Sequence, residues 1–171
     1  AKVWTVGEYY EVDGVKGVVC WVSDDAQHGK IVSLDEKDYG AWSKSGERTG
    51  ATDEDSGSKN TQKIKDLSTD FTGFDSFKWC AEHGAGWYFP AILEVRYFLS
   101  NKVAINQTLT VQGATSISDY YWSSTEGEED YSDEAMYAYL SSYGINGVSS
   151  YGDSKTVPEE GGYLIRAMYE F

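Results

Sequence analysis

Apolar positions along the chain fall into three blocks with different spacing. In the first 34 residues, short apolar runs stand at Val18–Val22 and Ile31–Leu34. Short runs rich in Val and Ile predict strands. Ser23-Asp24-Asp25-Ala26-Gln27-His28-Gly29-Lys30 lies between them and reads as a turn-rich hairpin connection. Residues 35–57 lose the pattern. They are polar and punctuated by glycine, with Trp42 as the lone large anchor, and predict a long surface loop.

The middle block has helical spacing. Thr61, Ile64 and Leu67 form one stripe, with Ser58 as the expected N-cap. Phe74, Phe77 and Ala81 form a second, and Gly84 stands where a left-handed residue closes a helix. Trp87-Tyr88-Phe89-Pro90 leads into a third, with Pro90 in its first turn and Ile92, Val95 and Leu99 on its buried face. A fourth short helix is expected from Ile105 to Gln112, stopping at Gly113.

The rest reads as β. Ala135 to Leu140 alternates. Gly144-Ile145-Asn146-Gly147-Val148 reads as a hairpin with Asn146-Gly147 as its turn, and Tyr163 to Phe171 as the last strand. Blocks in the order β, α, β predict an α+β domain, with helices packed on a twisted antiparallel sheet and long loops. No repeat or linker interrupts residues 1–171, so one domain is expected, long enough to bury a real core. Gly86 to Pro90 and Trp122 are its expected aromatic framework.

Composition singles out one segment. Between the apolar anchors at 120–125 and 163–169, Glu126 to Gly162 is mostly Tyr, Ser, Gly, Asp and Glu, and Lys155 is its only base. Tyr gives rigid amphipathic contact area, and Ser, Gly and Asn give adaptable hydrogen bonding. Tyr131, Tyr137, Tyr139, Tyr143 and Tyr151 fall outside the predicted helices, and Tyr137 and Tyr139 share a strand face. Sheets also use such rings as cross-strand cover. Five of them within some twenty residues, amid Ser and Gly, exceed that need. Together with Asn146 and Asp153 they are the candidate ligand-binding residues. Truncating Tyr137 and Tyr139 is then expected to abolish binding and leave the melting temperature nearly unchanged.

Charge narrows the partner. The net charge is −14. Phosphate backbones and anionic membrane surfaces both demand clustered Lys and Arg, so nucleic acid and lipid headgroups are disfavoured. No apolar run approaches the roughly 18 residues of a membrane span. Ala1-Lys2-Val3-Trp4 opens without a signal-peptide pattern, as in a mature chain or a domain cut from a longer one. A partner facing this acidic segment is expected to be neutral or basic, because facing like charges cost affinity.

Catalytic chemistry finds little support. His28 sits in a hairpin turn, and His83 at a helix C-terminus, where the dipole favours a cation. Cys20 lies in an apolar run and reads as an inert buried hydrophobe, Cys80 lies on a helix, and their spacing demands no disulfide. Nucleophile-elbow, phosphate-loop and H-E-x-x-H patterns are absent. Asp53-Glu54-Asp55-Ser56-Gly57 resembles half a calcium loop, but Ile64 occupies the position of the final Glu ligand. Glu126-Gly127-Glu128-Glu129-Asp130, with Asp133 and Glu134, offers hard oxygens of the kind Ca²⁺ accepts, against a default of a solvated acidic loop. No catalytic residue, metal ligand or cofactor is assigned, and Ca²⁺ at the acidic loop is the one ion considered.

Several motifs occur in a telling order: Gly17-Val18-Val19, His28-Gly29-Lys30-Ile31-Val32-Ser33-Leu34, Phe77-Lys78-Trp79-Cys80, Gly86-Trp87-Tyr88-Phe89-Pro90-Ala91, Tyr121-Trp122-Ser123-Ser124-Thr125-Glu126 and Ile165-Arg166-Ala167. This order resembles the DUF1566-like surface domains of gut bacteria. These resemble in turn the C-type-lectin-like superfamily, which also holds the formylglycine-generating-enzyme fold and retroelement-diversified binding proteins. The resemblance spans nearly the whole chain. It implies an α+β C-type-lectin-like domain with its first and last strands close together, placed outside a cell. In the diversified binders the ligand-contacting positions lie between the last two motifs, which corresponds to Tyr131 to Asp153. The enzyme branch uses a cysteine pair near its C-terminal strands, and no Cys follows Cys80. The acidic-residue and proline triplets of sugar-binding lectins are also absent. The expected function is a non-catalytic extracellular recognition or adhesion module for a surface protein, glycoprotein or glycan. A metal-assisted enzyme of the same superfamily and an assembly module of a surface fibre are the alternatives.

Overall fold

A computed structural model describes residues 1–145, 147–157 and 161–171, with the backbone alone at positions 143 and 145. The elements in chain order are β1 (Tyr9–Val12), β2 (Val15–Val22), β3 (Gly29–Val32), β4 (Lys37–Gly40), α1 (Gly57–Leu67), α2 (Asp75–Ala81), α3 (Ile92–Ser100), α4 (Lys102–Val111), β5 (Tyr120–Glu126), β6 (Glu134–Ile145), β7 (Val148–Ser154), β8 (Tyr163–Ile165) and β9 (Met168–Glu170). Among the described residues the architecture is mixed α+β, with four α-helices and two sheets rather than the single sheet expected. One sheet is antiparallel, in the order β1-β2-β3-β9. The other runs β4-β8-β5-β6-β7, and its β5–β8 pair is parallel, against expectation. The first and last strands share a sheet but form opposite edges. Their ends still meet, because Trp4, Tyr10 and Phe171 form one ring cluster with centroids 4.5–5.4 Å apart.

Residues 163–171 are not one strand. They break at Arg166-Ala167 and serve both sheets. Arg166 is fully buried, and its guanidinium donates to the carbonyls of Ser33 at 2.7 Å and Thr115 at 2.5 Å and to Glu36 at 3.1 Å. Ala167 exchanges hydrogen bonds with Ser33, the residue that follows β3. An apolar run carries no mark of where it changes sheets; the buried cation does.

β4 lies inside the expected long loop. It is a short edge strand paired with β8, and its Gly40 carbonyl accepts from the Trp122 indole at 2.8 Å. Nothing in its own pattern specifies pairing, since its partner is distant in sequence. α1 starts earlier than expected, with Ser56 rather than Ser58 as its cap; the Ser56 hydroxyl accepts from Lys59 N at 3.3 Å. A Cβ on Gly57 would lie 2.1 Å from the Phe89 carbonyl, so the helix start packs directly on the 89–91 backbone. Leu67 is exposed, which narrows the α1 stripe to Thr61 and Ile64. Pro90 precedes the Ala91 cap of α3 instead of lying in its first turn, while Ile92, Val95 and Leu99 are buried as predicted. α4 begins at Lys102, before the expected Ile105, and Gly113 follows it with φ +65°.

Trp87, Tyr88, Phe89, Pro90 and Trp122 are buried, but Gly86 is exposed in a turn. α3 packs against both sheets, on β5, β6 and β2. A buried carboxylate fastens its start: Glu94 accepts from Lys30 Nζ at 2.5 Å, Tyr88 hydroxyl at 2.6 Å, Gly57 N at 2.6 Å and Ala91 N at 3.1 Å. Cys20 and Cys80 are both buried and free, and burial pushes both thiols up, away from the reactive thiolate.

Candidate functional site: a tyrosine ladder across the second sheet

The alternation of strand side chains divides adjacent tyrosines between two faces. In β5, Tyr121 is buried against Phe98, ring centroids 5.1 Å apart, while Tyr120 faces outward and is 45% exposed. Cross-strand register then sets Tyr120 opposite Tyr139, Trp122 opposite Tyr137, and Tyr137 opposite Tyr151. Tyr163 on β8 completes the row. Five rings from four adjacent strands form one ladder. Tyr137 stacks on Tyr163 at 4.1 Å and 11°, and Tyr120 on Tyr139 at 4.9 Å and 17°. Tyr139 meets Tyr137 and Tyr151 at 6.1 Å each. Trp122 lies beneath, fully buried, edge-on to Tyr163 at 4.7 Å.

Tyr151 and Tyr120 are the open rings; Tyr137, Tyr139 and Tyr163 are half-buried. Tyr137 and Tyr163 pack against the core. Tyr137 is therefore a packing residue as well as a surface one, and the expectation that its loss leaves stability untouched is corrected. The Tyr163 hydroxyl donates to Asp153 at 2.7 Å. Asp153 Oδ1 also accepts from Ser154 N at 2.7 Å. Asp153 thus orients a ladder ring. Burial, then the bond to Asp153, pushes the Tyr163 hydroxyl up; desolvation, then the neighbouring tyrosines, raises Tyr139. Both stay neutral donors across the physiological range.

The structure brings Tyr137, Tyr139, Tyr151 and Asp153 together and leaves Tyr131 elsewhere. Tyr131 sits on a short 3-10 turn, Glu129–Tyr131, and lines a separate cavity of about 480 Å³ with Arg48, Glu54 and Glu134. Asn146 and the Tyr143 side chain lie outside the described residues. Tyr120 and Tyr163 lie in the two runs that predict apolar strand anchors, and so fall outside the candidate set that the sequence defines. The signal was present in the Tyr120-Tyr121 pair, where alternation sends one ring in and one out.

The acidic loop is also revised. Glu126 is not a surface carboxylate. It is 2% exposed and accepts from Thr49 N at 2.6 Å, Thr49 Oγ1 at 2.8 Å, Gly50 N at 3.1 Å and Lys155 Nζ at 2.6 Å. Burial pushes its carboxyl up, but Lys155 and these amides outweigh that and hold it below the usual range. Lys155 is fully buried. Its ammonium also donates to the carbonyls of Glu47 at 2.8 Å and Ser132 at 2.5 Å, and it lies 5.0 Å from the Trp42 ring. The only base of the segment is therefore internal, and Glu128, Glu129 and Asp130 remain exposed without it. Among the described residues no three His, Cys, Asp or Glu side chains converge as a metal site. Asp53 accepts from Asp55 N at 2.9 Å and Ser56 N at 2.7 Å, so the half calcium loop is closed on its own backbone. His83 is fixed between the Trp79 carbonyl at 2.9 Å and Asp35 at 2.7 Å. No described helix is long and apolar enough to cross a membrane.

Neither a protein-family model nor a curated protein matches the chain.

Proposed function

We propose that this chain is a non-catalytic extracellular recognition module of C-type-lectin-like architecture, which engages a surface protein, glycoprotein or glycan through the tyrosine ladder. The observation that carries the proposal is the ladder itself: five rings in one row on four adjacent strands, two of them open to solvent. Rings already stacked on one another have little rotamer freedom left to lose on binding. Their edges keep hydroxyls for directional contacts, and aromatic anchors dominate most interfaces. A rigid sheet below holds their spacing.

The architectural part is supported by the terminal segment that closes both sheets through Arg166-Ala167, with the helices inserted between the β blocks. The extracellular setting follows from the resemblance of the motif order to surface domains. The test is binding of Tyr120→Ala and Tyr151→Ala chains to cell-surface glycoproteins and glycans. These rings are exposed, so both variants should keep the parent melting temperature while binding falls at least about tenfold. Unchanged binding in both would refute the proposal.

A further inference from the structure

We infer that the β8 end of the ladder holds a sugar-ring subsite, and that the ligand class is a neutral, hydroxyl-rich glycan chain; this rests on the tyrosine-ladder reading above. A cavity of about 420 Å³ opens there, lined among others by Tyr39, Ser118, Asp119, Tyr120, Gly162 and Tyr163. Its size lies within the roughly 300–1,000 Å³ of small-ligand sites. Two of its rings, Tyr120 and Tyr163, belong to the ladder. The third, Tyr39, comes from edge strand β4 and is 56% exposed, which packing does not explain. Tyr39 belongs to β4, the strand next to β8, so the cavity draws its aromatic lining from three adjacent strands, β4, β8 and β5.

The lining suits a pyranose. A sugar ring offers weakly polarised C–H groups on its faces and hydroxyls around its edge. Aromatic faces carry negative quadrupole density that receives the former. Asp119 and Ser118 supply acceptors for the latter, and Lys102 holds the Asp119 carboxylate at 3.1 Å. The wall at Gly162 is bare backbone by necessity, since a Cβ there would lie 2.3 Å from the Gly40 carbonyl. Charge selects within the class. Asp119 is paired with Lys102, so the selection comes from the net charge of −14, which disfavours sulfate, phosphate and sialic acid. Strands repeat every ~4.8 Å. That spacing is comparable with one sugar unit of an extended chain, so a glycan can continue from the cavity along the ladder toward Tyr151.

The test uses the full chain and titration calorimetry. The probes are neutral hexose and N-acetylhexosamine oligosaccharides of increasing length, with sulfated and sialylated counterparts. The expected result is binding of at least one neutral series with affinity rising with length. Tyr39→Ala should weaken it at least about tenfold, as loss of an aromatic anchor does, and Tyr39→Trp should restore it. Tyr39 is exposed, so the variants should fold, and melting temperature checks that. No binding in any neutral series, tighter binding of the anionic counterparts, or an unaffected Tyr39→Ala chain would each overturn the inference. If no sugar binds but a purified surface protein binds in a Tyr151-dependent way, the subsite falls while the ladder reading stands. If neither binds, both fall.

Discussion

Lys155→Met removes a buried cation while keeping its aliphatic length, and the structure sets the size of the effect. Glu126 would be left as a buried carboxylate, still holding its three hydrogen bonds from Thr49 and Gly50 but with no counter-ion. The carbonyls of Glu47 and Ser132 would lose the same donor. Breaking a buried pair from one side costs about 3–5 kcal/mol. The surviving hydrogen bonds place this site at the lower end, about 3 kcal/mol. At roughly 2–4 °C per kcal/mol for a chain of this size, melting should fall by about 6–12 °C. Lys155→Met/Glu126→Gln removes the stranded charge and should recover part of the loss, leaving about 1–2 kcal/mol from imperfectly paired polar groups. Urea denaturation followed by tryptophan fluorescence measures all three chains, and the double-variant cycle yields the pair's coupling energy. The penalty should also shrink in acid. In the parent, the depressed Glu126 pKa stabilises above the unfolded carboxyl value of about 4.3 and is lost as pH falls through the folded value. In the variant a stranded Glu126 can take up a proton in place. A loss below about 1 kcal/mol in Lys155→Met, or a double variant no more stable than the single one, would refute the assignment of this pair as the tie between the loops.

Tyr137→Ala should cost about 2 kcal/mol, because its ring stacks on Tyr163 and covers Trp122, whereas Tyr151→Ala should stay within about 0.5 kcal/mol; equal urea midpoints would show that the ladder is packed uniformly. Both His83 ring nitrogens face acceptors, Asp35 and the Trp79 carbonyl, which calls for the imidazolium. Burial alone would lower its pKa, but Asp35 outweighs this and the value is raised. Its stabilisation is therefore complete below the unfolded value of about 6.5 and lost as pH rises through the folded one, and His83→Gln should flatten that fall in an unfolding-versus-pH series. Affinity for a neutral oligosaccharide should change less than about twofold as the screening length falls from about 30 Å to about 3 Å between 0.01 and 1 M salt. A strong loss of affinity with salt would instead indicate a basic protein partner.

Much of the local structure was legible in the sequence. Apolar spacing, together with the glycines and the proline that punctuate it, located α1 through α4, the β2 and β3 hairpin and the β6 strand to within a few residues, because most of these bury a face that local spacing defines. Composition alone marked the segment of Tyr137, Tyr139 and Tyr151, since rings amid Ser and Gly are ill suited to a core. The tertiary structure decided the rest, wherever a partner lay far off in the chain. β4 exists only through β8, and the terminal run divides between two sheets only because Arg166 finds Ser33, Glu36 and Thr115. The acidic segment had one base, yet only packing showed that Lys155 turns inward to Glu126 and leaves the surface acidic. Tyr120 and Tyr163 joined the ladder for the same reason. Alternation says that a ring faces out, but cross-strand register between distant segments sets which other rings it meets, and no local pattern encodes that register.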